Sequence, residues 1–70
     1  MAVAQTLGKK IKELRTLKGY TQKALALKGG FSVSVVHLWE QDKQVPSLTS
    51  LRRLSSCLNC RVEELTKYII

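Results

Sequence analysis

Apolar residues recur at helical spacing along much of the chain. One such stripe has spacings of four, three and three positions and comprises Leu7, Ile11, Leu14 and Leu17. A second stripe comprises Leu48, Leu51, Leu54 and Leu58. These patterns predict one helix within residues 5–18 and a fourth helix after the N-cap Ser47, with Asn59 as its left-handed C-terminal cap. No segment shows the sustained alternation of a strand, so the sequence predicts an all-α domain.

Residues 21–40, between these two stripes, have the pattern of two short helices joined by a glycine turn. Thr21 and Ser32 are suitable N-caps for the two helices, because their hydroxyl oxygens can accept a backbone N–H bond. Gly29 and Gly30 are expected to end the first helix, since glycine adopts positive φ without strain. Two helices joined by a tight turn form a helix-turn-helix.

The helix of residues 32–41 has two different faces at 100° per residue. The inward face is predicted to comprise Val35, Val36 and Trp39, and the outward face Val33, Ser34, His37, Leu38 and Gln41. In a helix-turn-helix, the corresponding outward face meets base edges in the major groove. Its two aliphatic members can contact a thymine methyl group but cannot form the hydrogen bonds that discriminate most strongly between bases.

The charge is unevenly distributed along a chain of 70 residues, a length that fits a single domain spanning 1–70. Residues 1–53 hold ten basic and three acidic side chains, whereas residues 54–70 hold two of each. A basic body with a neutral end favours a polyanionic partner such as nucleic acid. The alternative is that the charge only keeps a small protein soluble.

The sequence also excludes several classes of protein. No hydrophobic run approaches the ~20 residues of a membrane span, and the start does not match a signal peptide, so we expect a cytoplasmic protein. Few carboxylates and a single histidine leave no nucleophile–base pair, and we expect no enzymatic activity.

The pair Cys57 and Cys60 has C-x-x-C spacing, which occurs in redox and zinc sites. A second ligand pair is missing for zinc, and a βαβ setting is missing for thioredoxin-like chemistry. Our interpretation is that both are small, buried apolar residues at a helix–helix junction, with no metal or other cofactor.

The residue types at a series of positions within residues 7–66, and their order along the chain, closely resemble those of the Cro/phage-repressor class of helix-turn-helix proteins. This class is also called the xenobiotic-response-element family. The matching pieces are Leu14-Arg15, Lys18-Gly19, Thr21-Gln22, Leu25-Ala26, Gly30, Ser32, Val36, Trp39-Glu40, Pro46-Ser47-Leu48, Leu51, Leu54, Leu58, Val62 and Leu65. The resemblance implies a five-helix, lambda-repressor-like DNA-binding domain with the helix-turn-helix at helices 2 and 3. It places the fifth helix at about residues 61–67.

The resemblance also implies roles for individual residues. Arg15 is expected to pair with Glu40, which would tie helix 1 to the end of helix 3. Gln22 would contact a phosphate or base, while Lys43 and Gln44 would contact backbone phosphates. The complete predicted DNA-binding set is Gln22, Lys23, Ser32, Val33, Ser34, His37, Leu38, Gln41, Lys43 and Gln44.

Three positions depart from the family pattern. Gly29 stands where a core leucine is usual, and Leu27 or Phe31 is expected to fill the space. Asp42 replaces a common glycine at a position that is expected to be left-handed. Arg61 stands where a serine or threonine usually caps helix 5.

The function implied is a transcriptional regulator, expected to be a repressor, that binds double-stranded operator DNA. The family usually binds a palindrome as a dimer, here with helix 32–41 as the recognition helix and with the C-terminal helix and residues Tyr68 to Ile70 as the expected subunit contact. The alternatives for that C-terminal end are that it covers its own core or that it frays. The alternative function is a protein-interaction module such as an antitoxin or anti-repressor, which Val33 and Leu38 favour and the basic charge opposes.

Overall fold

The computed structural model describes residues 5–69, which contain five helices and no strand. The helices are α1 (Leu7–Leu17), α2 (Gln22–Gly29), α3 (Val33–Glu40), α4 (Leu48–Leu58) and α5 (Glu63–Thr66). The prediction of an all-α fold is therefore confirmed for this part of the chain. None of these helices combines the length and the apolar character that a membrane crossing requires.

A hydroxyl side chain caps the N-terminus of each of the first four helices. The predicted caps Thr21, Ser32 and Ser47 each accept the backbone N–H three residues on, and Thr6 does the same for α1. Each bond satisfies an amide that has no acceptor within its own helix. Helix α5 begins at Glu63, and its N-cap residue Val62 offers no side-chain hydrogen bond; its four residues are fewer than the predicted 61–67.

Left-handed residues end α2 and α4. Gly30, at φ 73°, follows α2, so Gly29 remains the last helical residue. Asn59, at φ 54°, ends α4 as the sequence predicts. In both cases the chain reverses without losing the hydrogen bonds of the last helical turn.

The core lies where α3 packs against α1 and α2, with α4 against α2 and α5 against both α1 and α4. Its buried side chains are Leu7, Ile11, Leu25, Ala26, Val36, Trp39, Leu51, Leu54, Leu58 and Leu65. Trp39 is only 4% exposed, which confirms its predicted place in the core. Val35, predicted to point inward, is half-buried against the same cluster.

Leu17 and Leu48, both predicted on apolar stripes, are instead exposed to solvent. Leu17 lies six residues after Ile11, a rotation of about 120° around the helix, whereas Arg15 is rotated by only about 40°. Arg15 therefore takes the inward position that the sequence pattern assigns to Leu17. Leu48 is the first residue of α4 and lies beyond the part of that helix that its neighbours cover.

Phe31 occupies the space left by the missing side chain of Gly29. A Cβ atom added at Gly29 would overlap with the Phe31 ring, because it would be closer to the ring than the sum of their van der Waals radii. That ring packs edge-on against Trp39 with 4.9 Å between ring centroids. Of the two candidates for this space, Phe31 is correct, and Leu27 is 76% exposed.

Gly8 allows α1 and α3 to approach more closely than any other residue type would. A Cβ atom at Gly8 would clash with the carbonyl oxygen of Trp39 and would lie 2.8 Å from that of Glu40. Both obstacles are backbone atoms at the end of α3, so they cannot move aside without displacing that helix. The contact between the two helices therefore depends on glycine here.

We predict that Gly8→Ala lowers the free energy of unfolding by about 1–3 kcal/mol, the usual cost of overpacking. This loss should occur although alanine favours an isolated helix over glycine by about 1 kcal/mol. Urea unfolding would measure the change, with Lys12→Ala as an exposed control in the same helix. Unchanged or increased stability of Gly8→Ala would contradict the close approach described here.

Candidate nucleic-acid interface

The N-terminus of α2 and the outward face of α3 meet through the side chain of Gln22. Its Nε2 atom donates a hydrogen bond to Oε1 of Glu40 at 3.1 Å and lies 3.4 Å from Nδ1 of His37. Gln22 thus contacts both the buried side and the exposed side of α3. Two residues predicted to touch DNA, Gln22 and His37, are neighbours in the fold.

The outward face of α3 is open to solvent along most of its length. Ser34, His37 and Gln41 are exposed, and Val33 is 44% exposed. Leu38 is half-buried, and its carbonyl oxygen accepts the Lys43 amide at 3.0 Å. The polar members of this face are therefore more accessible than its larger apolar member.

Backbone amides at the start of α2 add to the same surface. The Thr21 hydroxyl accepts the Ala24 amide, and the Thr21 carbonyl accepts the Leu25 amide. The amides of Gln22 and Lys23 lie in the first turn, before the first amide that has an acceptor in the helix, so they have no helical partner. Together with the positive end of the helix dipole, such amides form a favourable position for a phosphate.

A shielded ion pair between Arg15 and Glu40 holds α3 in place from its inward side, opposite the candidate interface. Arg15 Nε donates to Glu40 Oε2 at 2.6 Å and Nη2 donates to Oε1 at 3.1 Å. The side chains are 10% and 4% exposed. Arg15 Nη1 also donates to the Tyr20 carbonyl at 2.7 Å. The pair therefore joins α1, the segment before α2 and the end of α3.

The segment after α3 carries the predicted phosphate contacts Lys43 and Gln44, both exposed. Asp42, just before them, has φ 59°, as its position in the sequence predicts. Its carboxylate accepts the Thr6 hydroxyl at 2.6 Å and the Gly8 amide at 2.9 Å. Sequence reasoning missed these two contacts. The lack of an acidic residue in the first turn of α1 is a sequence feature that could have indicated an acidic partner from another segment.

The remaining predicted DNA contacts are in accessible positions. Ser32 is exposed, and its hydroxyl oxygen accepts the Val35 amide at 3.1 Å. Lys23 is exposed in the first turn of α2. Gln44 lines a groove of about 380 Å³ with Val45 and Ile69, so it lies beside the C-terminal segment.

The two cysteines pack at the edge of the core. Cys57 and Cys60 are half-buried and unoxidised, and both pack against the apolar cluster. Burial raises the pKa of the Cys60 thiol, and the nearby Glu64 carboxylate raises it further. Residues 5–69 contain no group of three His, Cys, Asp or Glu side chains placed to hold a metal ion.

Comparison with known proteins identifies the family to which this chain belongs. A helix-turn-helix family model, HTH_3, matches residues 11–65. The chain therefore belongs to the helix-turn-helix family of the Cro/C1 type, and the predicted family relationship is confirmed. Within this family it is similar to YazB of Bacillus subtilis strain 168, an uncharacterised HTH-type transcriptional regulator. The two are 36% identical over 62 residues, which cover 89% of this chain and 90% of YazB.

Two solved DNA complexes have the same fold. The P22 c2 repressor bound to a synthetic operator has a TM-score of 0.85 and 29% identity, covering 89% of this chain and 94% of that one. SinR of Bacillus subtilis in complex with DNA has a TM-score of 0.82 and 34% identity, covering 86% of this chain and 97% of that one. A complex of the proteins SinR and SinI also contains a similar chain, with a TM-score of 0.82 and 34% identity, covering 86% of this chain and 59% of that one. The predicted lambda-repressor-like fold is confirmed.

We predict that Arg15→Met lowers the free energy of unfolding by about 3–5 kcal/mol, because it leaves the Glu40 carboxylate buried without its cation. The double variant Arg15→Met/Glu40→Leu should recover most of this loss, since neither charge then remains. Urea unfolding of the wild-type protein and the two variants would test this. Equal instability of the single and double variants would show that lost packing dominates.

Proposed function

We propose that this protein is a sequence-specific transcriptional regulator that inserts α3 into the major groove of double-stranded DNA. The observation that carries the proposal is the surface in which Gln22 contacts both His37 and Glu40. This arrangement sets a hydrogen-bonding helix face beside the free amides of α2, so one surface can engage base edges and a phosphate together. The operator complex of the P22 c2 repressor and the DNA complex of SinR support the proposal.

Base discrimination is proposed to come mainly from Ser34, His37 and Gln41. When Nδ1 of neutral His37 accepts the Gln22 amide, the ring carries its proton on Nε2. The ring then offers a donor on its far side, suited to an acceptor on guanine or to a phosphate oxygen. Val33 would add only apolar contact, so DNA shape is expected to contribute to the remaining specificity.

The affinity is proposed to come largely from the basic charge of residues 1–53. Cations that contact phosphates displace condensed counterions, so binding should weaken steeply with added salt. The proposed contacts are the side chains of Lys43 and Lys23, the Gln22 amide and the Gln44 side chain. The mechanism requires no chemical step, since occupancy of an operator in the cytoplasm is enough to block polymerase.

A second copy of the chain is the proposed partner in DNA binding. The groove beside Gln44 is lined partly by the apolar side chains of Leu7, Val45, Tyr68 and Ile69. Val45 and Ile69 are 63% and 46% exposed, and their burial would favour association. A symmetric dimer would place two copies of α3 about 34 Å apart, one DNA turn, on a palindrome. Ile70, included in the predicted contact, lies outside the described residues.

The second candidate function is a protein-interaction module. Val33 presents an exposed aliphatic side chain at the start of α3. A hydrogen-bonding side chain at this position would discriminate between bases more strongly in a protein that binds a specific operator. The SinR–SinI complex shows that a similar protein also binds a protein partner. The high positive charge opposes this reading, unless the partner is acidic.

Selection from random duplex DNA at moderate salt, followed by sequencing, would test the main proposal. We expect enrichment of a palindrome with half-sites about 10 bp apart. Enrichment of an isolated half-site would support sequence-specific binding but would reject binding as a dimer. If only salt-sensitive bulk binding were seen, specific regulation would be rejected in favour of the interaction module.

We further predict that Lys43→Ala weakens binding to all duplex sequences about equally and lowers the salt slope by about 1, because it removes one phosphate contact. Fluorescence anisotropy over a range of salt concentrations would measure both quantities. Lys12→Ala removes the same charge from an exposed position outside the proposed contact set and should leave the slope nearly unchanged. Equal effects of the two variants would indicate net charge rather than a specific contact.

A further inference from the structure

We propose that Asp42 is a positioning residue for DNA binding, which docks the segment carrying Lys43 onto the N-terminus of α1. The inference rests on the proposed function and assigns a role to a residue outside the predicted contact set. Asp42 would not touch DNA itself. It would act by fixing where the Lys43 side chain leaves the protein surface.

The backbone after α3 has the hydrogen bonds of a Schellman motif, in which a left-handed residue follows the helix cap. Gln41 is the cap, the Asp42 amide donates to the Trp39 carbonyl at 3.1 Å, and the Lys43 amide donates to the Leu38 carbonyl at 3.0 Å. The left-handed position belongs to Asp42, at φ 59°. Glycine is the usual residue there, because a side chain in this conformation costs roughly 1–2 kcal/mol.

The side chain of Asp42 forms bonds that glycine could not make. Its two oxygens accept the Thr6 hydroxyl and the Gly8 amide from the first turn of α1. That turn contains no acidic residue and includes Lys9 and Lys10, so α1 lacks a negative group of its own near its positive end. The Asp42 carboxylate supplies that charge from 34 residues away along the chain.

Docking by Asp42 matters for Lys43 because the segment has little other support. Residues 41–45 are all exposed, and Pro46 is the next buried residue. The Lys43 backbone is held on one side by its bond to Leu38 and on the other by the attachment of Asp42 to α1. Loss of the carboxylate would leave the helix-end bonds but remove the link to α1. Lys43 would then be held relative to α3 alone.

The test compares Asp42→Gly with Asp42→Asn, two variants that raise the net charge by the same amount. Glycine suits the left-handed backbone but removes every side-chain bond. Asparagine also tolerates that backbone, and its amide can accept from Gly8 through Oδ1 and donate to Thr6 through Nδ2. Any difference in DNA binding between the two therefore reports the docking contacts rather than the charge.

We expect Asp42→Gly to weaken duplex binding roughly five- to tenfold relative to Asp42→Asn, within the range of coupled neighbouring residues. It should also lower the salt slope by about 1, as loss of the Lys43 contact would. In a Lys43→Ala background, the same comparison should show almost no difference, because the residue being positioned is gone. Fluorescence anisotropy over a range of salt concentrations, with urea unfolding of each variant, would supply these values.

The outcomes separate the inference from the proposed function. Absence of duplex binding by the wild-type protein would overturn both. Binding that depends on Lys43 but is equal in Asp42→Gly and Asp42→Asn would overturn the positioning role alone. A purely structural role would lower the stability of Asp42→Gly with an unchanged salt slope, and that result would also reject the inference. Amide exchange at Gly8, expected to be faster in Asp42→Gly than in Asp42→Asn, reports the docking contact without DNA.

Discussion

The buried ion pair between Arg15 and Glu40 is the interaction on which the geometry of the candidate site depends. Removing two charges from water is costly, and the cost is offset only where the geometry is good and further hydrogen bonds are available. Here Arg15 donates twice to Glu40 and once to the Tyr20 carbonyl, and Gln22 donates to Glu40 as well. These bonds meet from α1, the start of α2 and the end of α3, so they fix the two helices of the helix-turn-helix against each other.

The eight residues of α3 would not form a stable helix alone, because isolated helices shorter than ~12–15 residues are marginal in water. Burial of Val36 and Trp39, the cap Ser32 and the pairing of Glu40 hold this helix in place. All of these supports act on the inward side or at the ends. The outward side is therefore free to present polar groups without a loss of stability, which suits the proposed contact with DNA.

Both ends of α1 are completed by residues distant in sequence. At its N-terminus the Asp42 carboxylate provides a negative charge, and near its C-terminus Arg15 reaches Glu40. Gly8 lets the helix approach α3 closely enough for both contacts. Since the two acidic partners lie two positions apart around the end of α3, one helix anchors both the recognition helix and the segment after it. The proposed base-reading and phosphate-contacting surfaces thus share a common support.

Local chemistry in the sequence was sufficient to predict most of the fold. Thr21 and Ser32 cap helices, and Asn59 adopts a left-handed conformation, because each depends on atoms within a few residues. The tertiary structure alone decided that Leu17 is exposed although it lies on the apolar stripe, and that Asp42 reaches α1. The physical reason is that apolar spacing defines a stripe on one helix, whereas burial and long-range hydrogen bonds depend on which other helix covers that stripe.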